Sequence, residues 1–113
     1  MDIENAIKEL TDRINKLEAI LEIEEAIERI YDMLDRDSEL SEQHLEAKRM
    51  LMKIKSITFK WNNKSKKDIL RDLGRIDVHF ERIADLHQCV DFGFDVYNEV
   101  LYLKRMIEKR VIE

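Results

Sequence analysis

The amino-terminal part of the chain carries an unbroken heptad pattern of large apolar side chains. They recur at alternating intervals of four and three residues, at Ile3, Ile7, Leu10, Ile14, Leu17 and Leu21. Such a and d positions share one face of an α-helix and form the seam between helices in coiled coils. A second series follows in a shifted phase, at Ile20, Ile23, Ile27, Ile30 and Leu34. Because neither Gly nor Pro interrupts the shift, the pattern predicts one helix over about residues 2–36 whose apolar face rotates along its length.

A second helix is predicted after a turn at residues 36–41. Three residues of this turn could cap the helix by accepting a hydrogen bond from its first backbone amides: Asp37, Ser38 and Ser41. The apolar stripe that follows predicts a helix over about residues 39–61. Its members are Leu40, His44, Ala47, Leu51, Ile54, Thr58 and Trp61. Ile57, Phe59 and Trp61 also alternate with period two, so a short extended stretch there is an open alternative.

The remaining apolar residues form the longest series. Asn62-Asn63-Lys64 is typical of a turn, and Ser65 to Asp68 resembles a capping box with Asp in place of Glu. The series then runs through Ile69, Leu73, Ile76, Phe80, Ile83, His87, Val90, Phe94, Tyr97 and Leu101. An unbroken helix over this stretch would be about 70 Å long, too long for a small bundle unless a second copy covers it. We therefore expect a break near Gly93, with helices over about residues 66–90 and 93–112.

The composition agrees with helices throughout. Pro is absent, Gly occurs twice and the charged fraction is 40%, which is typical of long helices rather than of sheets with frequent turns. The hydrophobic fraction of 44% is high enough to drive folding. We predict an all-α fold, a bundle of three to four long amphipathic helices with coiled-coil-like heptad stripes, in a single helical domain over residues 1–113.

The sequence indicates a cytoplasmic protein with no membrane-spanning segment. The amino terminus has neither the basic nor the apolar region of a signal peptide, and no apolar run approaches the ~18 residues that a spanning helix needs. The single cysteine, Cys89, lies between Asp85 and Asp91. Acidic neighbours do not favour a reactive thiolate, so we expect Cys89 to be a small buried apolar residue.

Charge is distributed unevenly along the chain, whose net charge is −5. Residues 1–40 carry 13 acidic and 5 basic side chains, whereas residues 41–75 carry 4 acidic and 10 basic ones. Six lysines lie within eight residues of Trp61 along the sequence: Lys53, Lys55, Lys60, Lys64, Lys66 and Lys67. Such a segment could bind phosphates, with an exposed aromatic residue stacking on a base. Alternatively, the basic segment neutralises the acidic first helix, with Phe59 and Trp61 in the core.

Neither a metal site nor a cofactor site is predicted. His44 and His87 lie on apolar stripes, where a histidine packed in a core or an interface is expected. His87 and Asp91 have the spacing of ligands on one helical face, as do Arg75 and His79, but neither pair extends to the three or four ligands of a metal site. The chain also lacks a glycine-rich phosphate loop and a nucleophile with an ordered base.

The segment Arg82-Ile83-Ala84-Asp85-Leu86-His87 consists of an arginine, four residues and a histidine. It resembles the Arg-x4–6-His motif of the HEPN superfamily, helical bundles that include dimeric, metal-independent ribonucleases. The resemblance implies that His87 acts as acid and base while Arg82 stabilises charge on the phosphate. Two positions depart from the family pattern: Ile83 replaces a polar residue, and Cys89 stands where a tyrosine is frequent.

Three hypotheses about function follow. The first is a small non-enzymatic interaction protein that self-associates through the heptad stripes, as a homo-oligomer, and docks a second protein that is acidic or helical. The second is a nucleic-acid-binding accessory protein that uses the basic segment 48–67. The third is a HEPN-like ribonuclease that uses Arg82 and His87.

Overall fold

The structure, a computed structural model, describes residues 2–36 and 41–112 and contains four α-helices in that part of the chain. They are α1 (Ile3–Asp35), α2 (Glu42–Phe59), α3 (Lys66–Cys89) and α4 (Phe94–Ile112), with a 3-10 helical turn at Lys60–Asn63 between α2 and α3. The described residues contain no β-strand. The predicted all-α bundle is confirmed, with four helices. The extended stretch considered at residues 57–61 is not formed, because α2 runs directly into the 3-10 turn.

Side-chain caps mark the beginnings of the first three helices. The carboxylate of Asp2 accepts a hydrogen bond from the backbone amide of Glu4 at 3.1 Å. The hydroxyl of Ser41 accepts one from the amide of His44 at 3.2 Å, and that of Ser65 one from Asp68 at 3.3 Å. Each contact satisfies an amide that lacks a partner within the helix. The other two N-cap candidates of α2, at positions 37 and 38, lie outside the described residues.

The core lies between the four helices. Helix α1 packs against α2 and α4, and α3 packs against the same two helices, so each helix has two close neighbours. The second apolar series of α1, from Ile20 to Leu34, is buried, with exposed fractions of 6% or less. The described members of the α2 stripe, from His44 to Trp61, are buried as well. The sequence period therefore identified the buried faces of both helices.

The break between α3 and α4 changes which face of the last helix is buried. The predicted stripe continued through Phe94, Tyr97 and Leu101, and this register is wrong. Phe94 is 79% exposed, and the core instead takes Val96, Val100, Leu103, Ile107 and Val111. The physical reason is the non-helical backbone before α4, where Val90 is extended and Gly93 adopts a φ of 98°. Glycine tolerates that left-handed conformation without steric cost. The expected break is present, and it resets the helical phase.

Helix α1 is much longer than the helices that pack against it. It has 33 residues, whereas α2 has 18 and α4 has 19. The ion pair between Arg110 of α4 and Glu22 of α1, at 2.7 Å, lies near the end of the bundle. Ile20 is the first buried residue of α1, and residues 2–15 are all exposed. The radius of gyration is 16.0 Å, compared with about 13 Å for a compact domain of this length. We call residues 2–18 the overhang.

Candidate interaction surfaces

The first heptad series lies on the overhang and faces solvent. Its six side chains have exposed fractions between 45% and 69%, and we call them the amino-terminal stripe: Ile3, Ile7, Leu10, Ile14, Leu17 and Leu21. Every residue from 2 to 15 is exposed. Single exposed apolar residues are common on protein surfaces, but a contiguous apolar patch marks an interaction site. The amino-terminal stripe is such a patch, extending about 27 Å along the helix.

Little within the chain supports the overhang as a helix. The cap at Asp2 closes its first turn, and the ammonium of Lys16 donates a hydrogen bond to the carbonyl oxygen of Lys64 at 3.1 Å. The overhang continues a packed helix, but most helical stability in proteins comes from packing an apolar face, and its own apolar face is exposed. A partner that covered the amino-terminal stripe would supply that missing packing.

The two apolar series of α1 lie on nearly opposite sides of the helix. At 3.6 residues per turn, the amino-terminal stripe and the buried series from Ile20 to Leu34 are about 150° apart around the axis. A partner helix seated on the stripe would therefore not meet the bundle that packs on the other side. The phase shift in the sequence therefore marks the change from the exposed amino-terminal stripe to the series that packs in the core.

Trp61 lies in the core, at the centre of a buried polar cluster. It is 5% exposed, and its indole Nε1 donates a hydrogen bond to the carboxylate of Asp72 at 3.1 Å. The ammonium of Lys64 contacts the same carboxylate oxygen at 2.7 Å, and Arg75 approaches the other oxygen at 3.5 Å. In this conformation Trp61 presents no free face to a nucleic acid base, so the expectation of an exposed, stacking Trp61 does not agree with its position.

Two opposing effects determine the ionisation of Asp72. Burial disfavours its charged form and would by itself raise the pKa, but hydrogen bonds from Lys64 and Trp61 and the positive charges of Lys64 and Arg75 outweigh it. The pKa of Asp72 is therefore lowered below its ordinary value. Because the folded state favours the carboxylate, Asp72 adds stability above its unfolded-state pKa and loses it as the pH falls through the folded-state value.

We expect Asp72→Asn to lower the free energy of unfolding at pH 7 by roughly 1–3 kcal/mol, since a charged group that accepts hydrogen bonds from the buried Trp61 and the half-buried Lys64 is lost. The difference between the two proteins should hold down to about pH 5 and shrink below about pH 4, where Asp72 of the unfolded wild-type chain takes up a proton before that of the folded chain does. Urea unfolding followed by Trp61 fluorescence at a series of pH values measures this. Asp85→Asn, an exposed change on the same helix, is the control and should show no such trend. A difference that grew on acidification would contradict the assigned role.

Several lysines of the basic segment are paired within the bundle. Lys48 bonds to Asp35, which raises the pKa of the lysine, and its ammonium lies 4.6 Å from the centre of the Tyr31 ring. Lys55 lies 3.6 Å from Glu28 of α1. Together with the Lys64–Asp72 pair, these contacts agree with the expectation that part of the basic segment neutralises acidic groups of the chain itself.

Four other lysines are not paired in this way. Within residues 2–36 and 41–112, no ion pair involves Lys53, Lys60, Lys66 or Lys67. Burial lowers the pKa of His79, and the positive charges of Lys53 and Arg75 lower it further, which indicates a positive field on this side of α2 and α3. Phe59 is 66% exposed next to Lys60. Phe59, Lys53, Lys60, Lys66 and Lys67 belong to α2, the 3-10 turn and the first turn of α3, and we refer to them together as the basic surface. Phe59 falls outside the heptad spacing of the α2 stripe. This spacing is the feature of the sequence from which its exposure could have been predicted.

The structure does not bring Arg82 and His87 together. Five residues apart on α3, they are separated by about 140° around the helix axis. Arg82 borders a groove between α2 and α3 that is also lined by Glu46. His87 stacks on Tyr97 with a ring-centroid distance of 4.4 Å. Its Nδ1 accepts a hydrogen bond from the backbone amide of Phe92 at 3.2 Å. In the described chain His87 is thus part of the α3–α4 corner, and the ribonuclease hypothesis gains no support from its contacts.

Two other residues singled out from the sequence are His44 and Cys89. His44 is buried, with its Nδ1 2.7 Å from the Ser41 hydroxyl oxygen and its ring edge-on to Phe92 at 4.8 Å. Cys89 is exposed, which corrects the expected buried position, because α3 ends at this residue.

The described residues contain no group of three or more potential ligands arranged to hold a metal ion. None of the helices in this part of the chain has both the length and the apolar character needed to cross a membrane.

The arrangement of exposed apolar and basic residues is thus the main guide to function. No protein-family model, no curated protein and no solved structure matches the chain.

Proposed function

We propose that this chain is a small non-enzymatic interaction protein that self-associates through the amino-terminal stripe. The observation that carries the proposal is the exposure, at 45% to 69%, of six apolar side chains in heptad spacing on a helical overhang. The rest of the described chain leaves them uncovered, because they lie about 150° around α1 from the face that packs against α2 and α4. The same stripe on a second copy offers the complementary surface.

The residue types of the stripe favour pairing with an identical helix. In the heptad frame Ile7 and Ile14 occupy a positions, and Leu10 and Leu17 occupy d positions. The two ends of the stripe are reversed, with Ile3 at d and Leu21 at a. Isoleucine at a with leucine at d is the combination that favours two-stranded coiled coils. Three heptads without a polar residue in the seam provide the length from which a coiled coil is normally inferred. A helical segment of another protein is the alternative occupant, and the experiment distinguishes it.

The test is the mass of the purified protein in solution. One chain has a mass of 13.6 kDa, and the proposal predicts a rise toward twice that value as the concentration increases. Sedimentation equilibrium from about 1 µM to 1 mM covers association free energies of roughly 4 to 8 kcal/mol. Helicity measured by circular dichroism should rise over the same range, because pairing stabilises the overhang. A mass of one chain across the whole range would reject self-association and leave a partner of different sequence.

The basic surface supports a second candidate function, binding of single-stranded nucleic acid. Lysines without an ion pair in the described chain attract phosphates, and an exposed aromatic ring can stack on an unpaired base. The exposure of Phe59 beside Lys60 is the observation that favours this candidate. Phe59 here takes the role that the sequence had suggested for Trp61.

We expect any such binding to be steeply salt-dependent and to require Phe59. Anisotropy of a labelled single-stranded RNA should show binding at about 50 mM salt that weakens strongly at about 200 mM. Phe59→Ala should weaken it by roughly tenfold, since stacking contributes about 1–3 kcal/mol per base. Phe94→Ala, which also removes an exposed phenylalanine, is the control. Equal affinity of both variants, or no binding at either salt concentration, would reject this candidate.

A further inference from the structure

The charges beside the amino-terminal stripe carry information about the direction in which two copies pair. In the heptad frame set by Ile7 and Ile14 at a, Arg13 occupies a g position and Glu18 an e position. In coiled coils these positions flank the seam and determine partner choice and orientation. Within the described chain neither Arg13 nor Glu18 takes part in an ion pair. Their charges are therefore available to a second helix.

A parallel arrangement joins opposite charges across the seam. In parallel coiled coils a g residue lies beside the e residue five positions later on the other helix. Arg13 of each copy then faces Glu18 of the other copy, which gives two attractive pairs. The preceding g and e positions are Ala6 and Thr11, which are uncharged. No like-charged pair arises at these flanking positions.

An antiparallel arrangement joins like charges instead. With the stripe fully overlapped, Ile3 of one copy lies beside Leu21 of the other, and g positions face g positions while e positions face e positions. Arg13 then faces Arg13 of the second copy, and Glu4 faces Glu18 twice. Like charges at these distances disfavour association by amounts similar to those that opposite charges contribute. The charge pattern thus favours the parallel over the antiparallel arrangement.

We infer that two copies of this chain pair as a parallel, two-stranded coiled coil through the amino-terminal stripe, with both bundles at the same end. The inference rests on the proposed self-association and adds its orientation. The bundles do not obstruct this arrangement, because each packs on the side of α1 about 150° from the stripe. Beyond Leu21 the next seam positions are Glu24 and Glu28, so the two helices separate as they enter their bundles.

Disulfide trapping tests the orientation directly. In a Cys89→Ser background, Ile3→Cys and Leu21→Cys place single thiols at the two ends of the stripe, about 27 Å apart along the helix. In a glutathione redox buffer, the parallel arrangement predicts that each variant alone forms a disulfide-linked pair. A mixture of the two, unfolded and refolded together, should yield no link between position 3 and position 21. Such a mixed link in the refolded sample, identified by the mass of the joined peptides, would overturn the inference.

The charge pairs provide a second measurement that needs no cysteine. Glu18→Arg should raise the dissociation constant roughly tenfold if the helices are parallel, because two attractive pairs become repulsive. In the antiparallel case the same change would tighten association, since the introduced guanidinium would face Glu4. The exchange Arg13→Glu with Glu18→Arg should restore the wild-type constant. Tighter or unchanged association of Glu18→Arg would overturn the parallel inference, whereas a mass of one chain for the wild type would reject the proposed function beneath it.

Discussion

Replacing Leu10 and Leu17 together by glutamate is expected to convert the self-associated protein into single chains with an intact bundle. Both leucines lie at d positions of the amino-terminal stripe and are about half exposed in the single chain. Each apolar side chain covered on pairing stabilises the pair by up to about 1.5–3 kcal/mol. The variant loses four such side chains per pair and places four like charges in the seam. The dissociation constant should rise by at least about 1000-fold, as measured by sedimentation equilibrium.

A matched control separates the loss of the seam from a simple effect of charge. Asn5→Glu with Asn15→Glu adds the same two negative charges to the same helix at exposed positions outside the stripe. This variant should keep the wild-type dissociation constant to within roughly tenfold, because rim charges contribute little. Fluorescence of the buried Trp61 should be unchanged in both proteins, showing that the bundle is folded. Equal masses for the two variants would contradict the role assigned to Leu10 and Leu17.

The largest expected effect on folding is that of Leu51→Ala. Leu51 lies on α2 with an exposed fraction of 0% and belongs to the core shared by all four helices. Truncating a buried leucine lowers the free energy of unfolding by about 2–5 kcal/mol, through lost burial and the cavity that remains. For a chain of this size we expect the melting temperature to fall by roughly 10 °C or more. Thermal unfolding followed by circular dichroism measures the change.

The same substitution at Leu45 is the control for Leu51→Ala. Leu45 lies on the same helix but is 45% exposed, so Leu45→Ala should alter the melting temperature by only a few degrees. Both variants are compared at one protein concentration, because self-association adds stability that depends on concentration. A loss at Leu45 as large as that at Leu51 would mean that the assigned burial of α2 is wrong.

Helical periodicity was sufficient to predict the buried faces of α1 and α2. The series from Ile20 to Leu34 and the α2 stripe are buried as their spacing indicated, since a period of 3.6 residues reports which side chains share a face. The same reasoning failed in α4. Periodicity carries no information on how far a break rotates the next helix, and the extended backbone between Val90 and Gly93 resets the phase. The core therefore takes Val96 rather than Phe94.

The candidate site could be predicted only in part. The six members of the amino-terminal stripe follow from the sequence, but their exposure does not. An apolar stripe has the same pattern whether it lies inside a bundle or outside it. This one is uncovered because it lies on the side of α1 away from α2 and α4, which the spacing alone does not show. The flanking pair Arg13 and Glu18 follows from the heptad frame alone, because a and d positions also define the g and e positions beside them.

Trp61 and Asp72 show why side-chain roles are harder to predict than helices. A tryptophan among lysines is typical of a site that binds nucleic acid. In the structure, however, the indole is buried and donates a hydrogen bond to Asp72. A buried carboxylate is rare unless it is paired. Asp72 lies three residues after Ile69 and four before Ile76, in phase with the buried face of α3, but this spacing does not identify its partners. The contacts that decide its environment come from Lys64 and Trp61, eight and eleven residues earlier. Only the turn between α2 and α3 brings them together.

Under the proposed self-association, the continuity of α1 from the overhang into the core would make proteolysis of the chain depend on its concentration. Proteases cleave backbone that can open locally, and the overhang of a single chain is a weakly supported helix that contains Lys8, Arg13 and Lys16. Pairing holds this segment closed. An unpaired copy is therefore the more readily cleaved, and once cleaved it loses the surface through which it could have paired. Proteolytic turnover would in this way remove surplus single chains and spare those that have found a second copy.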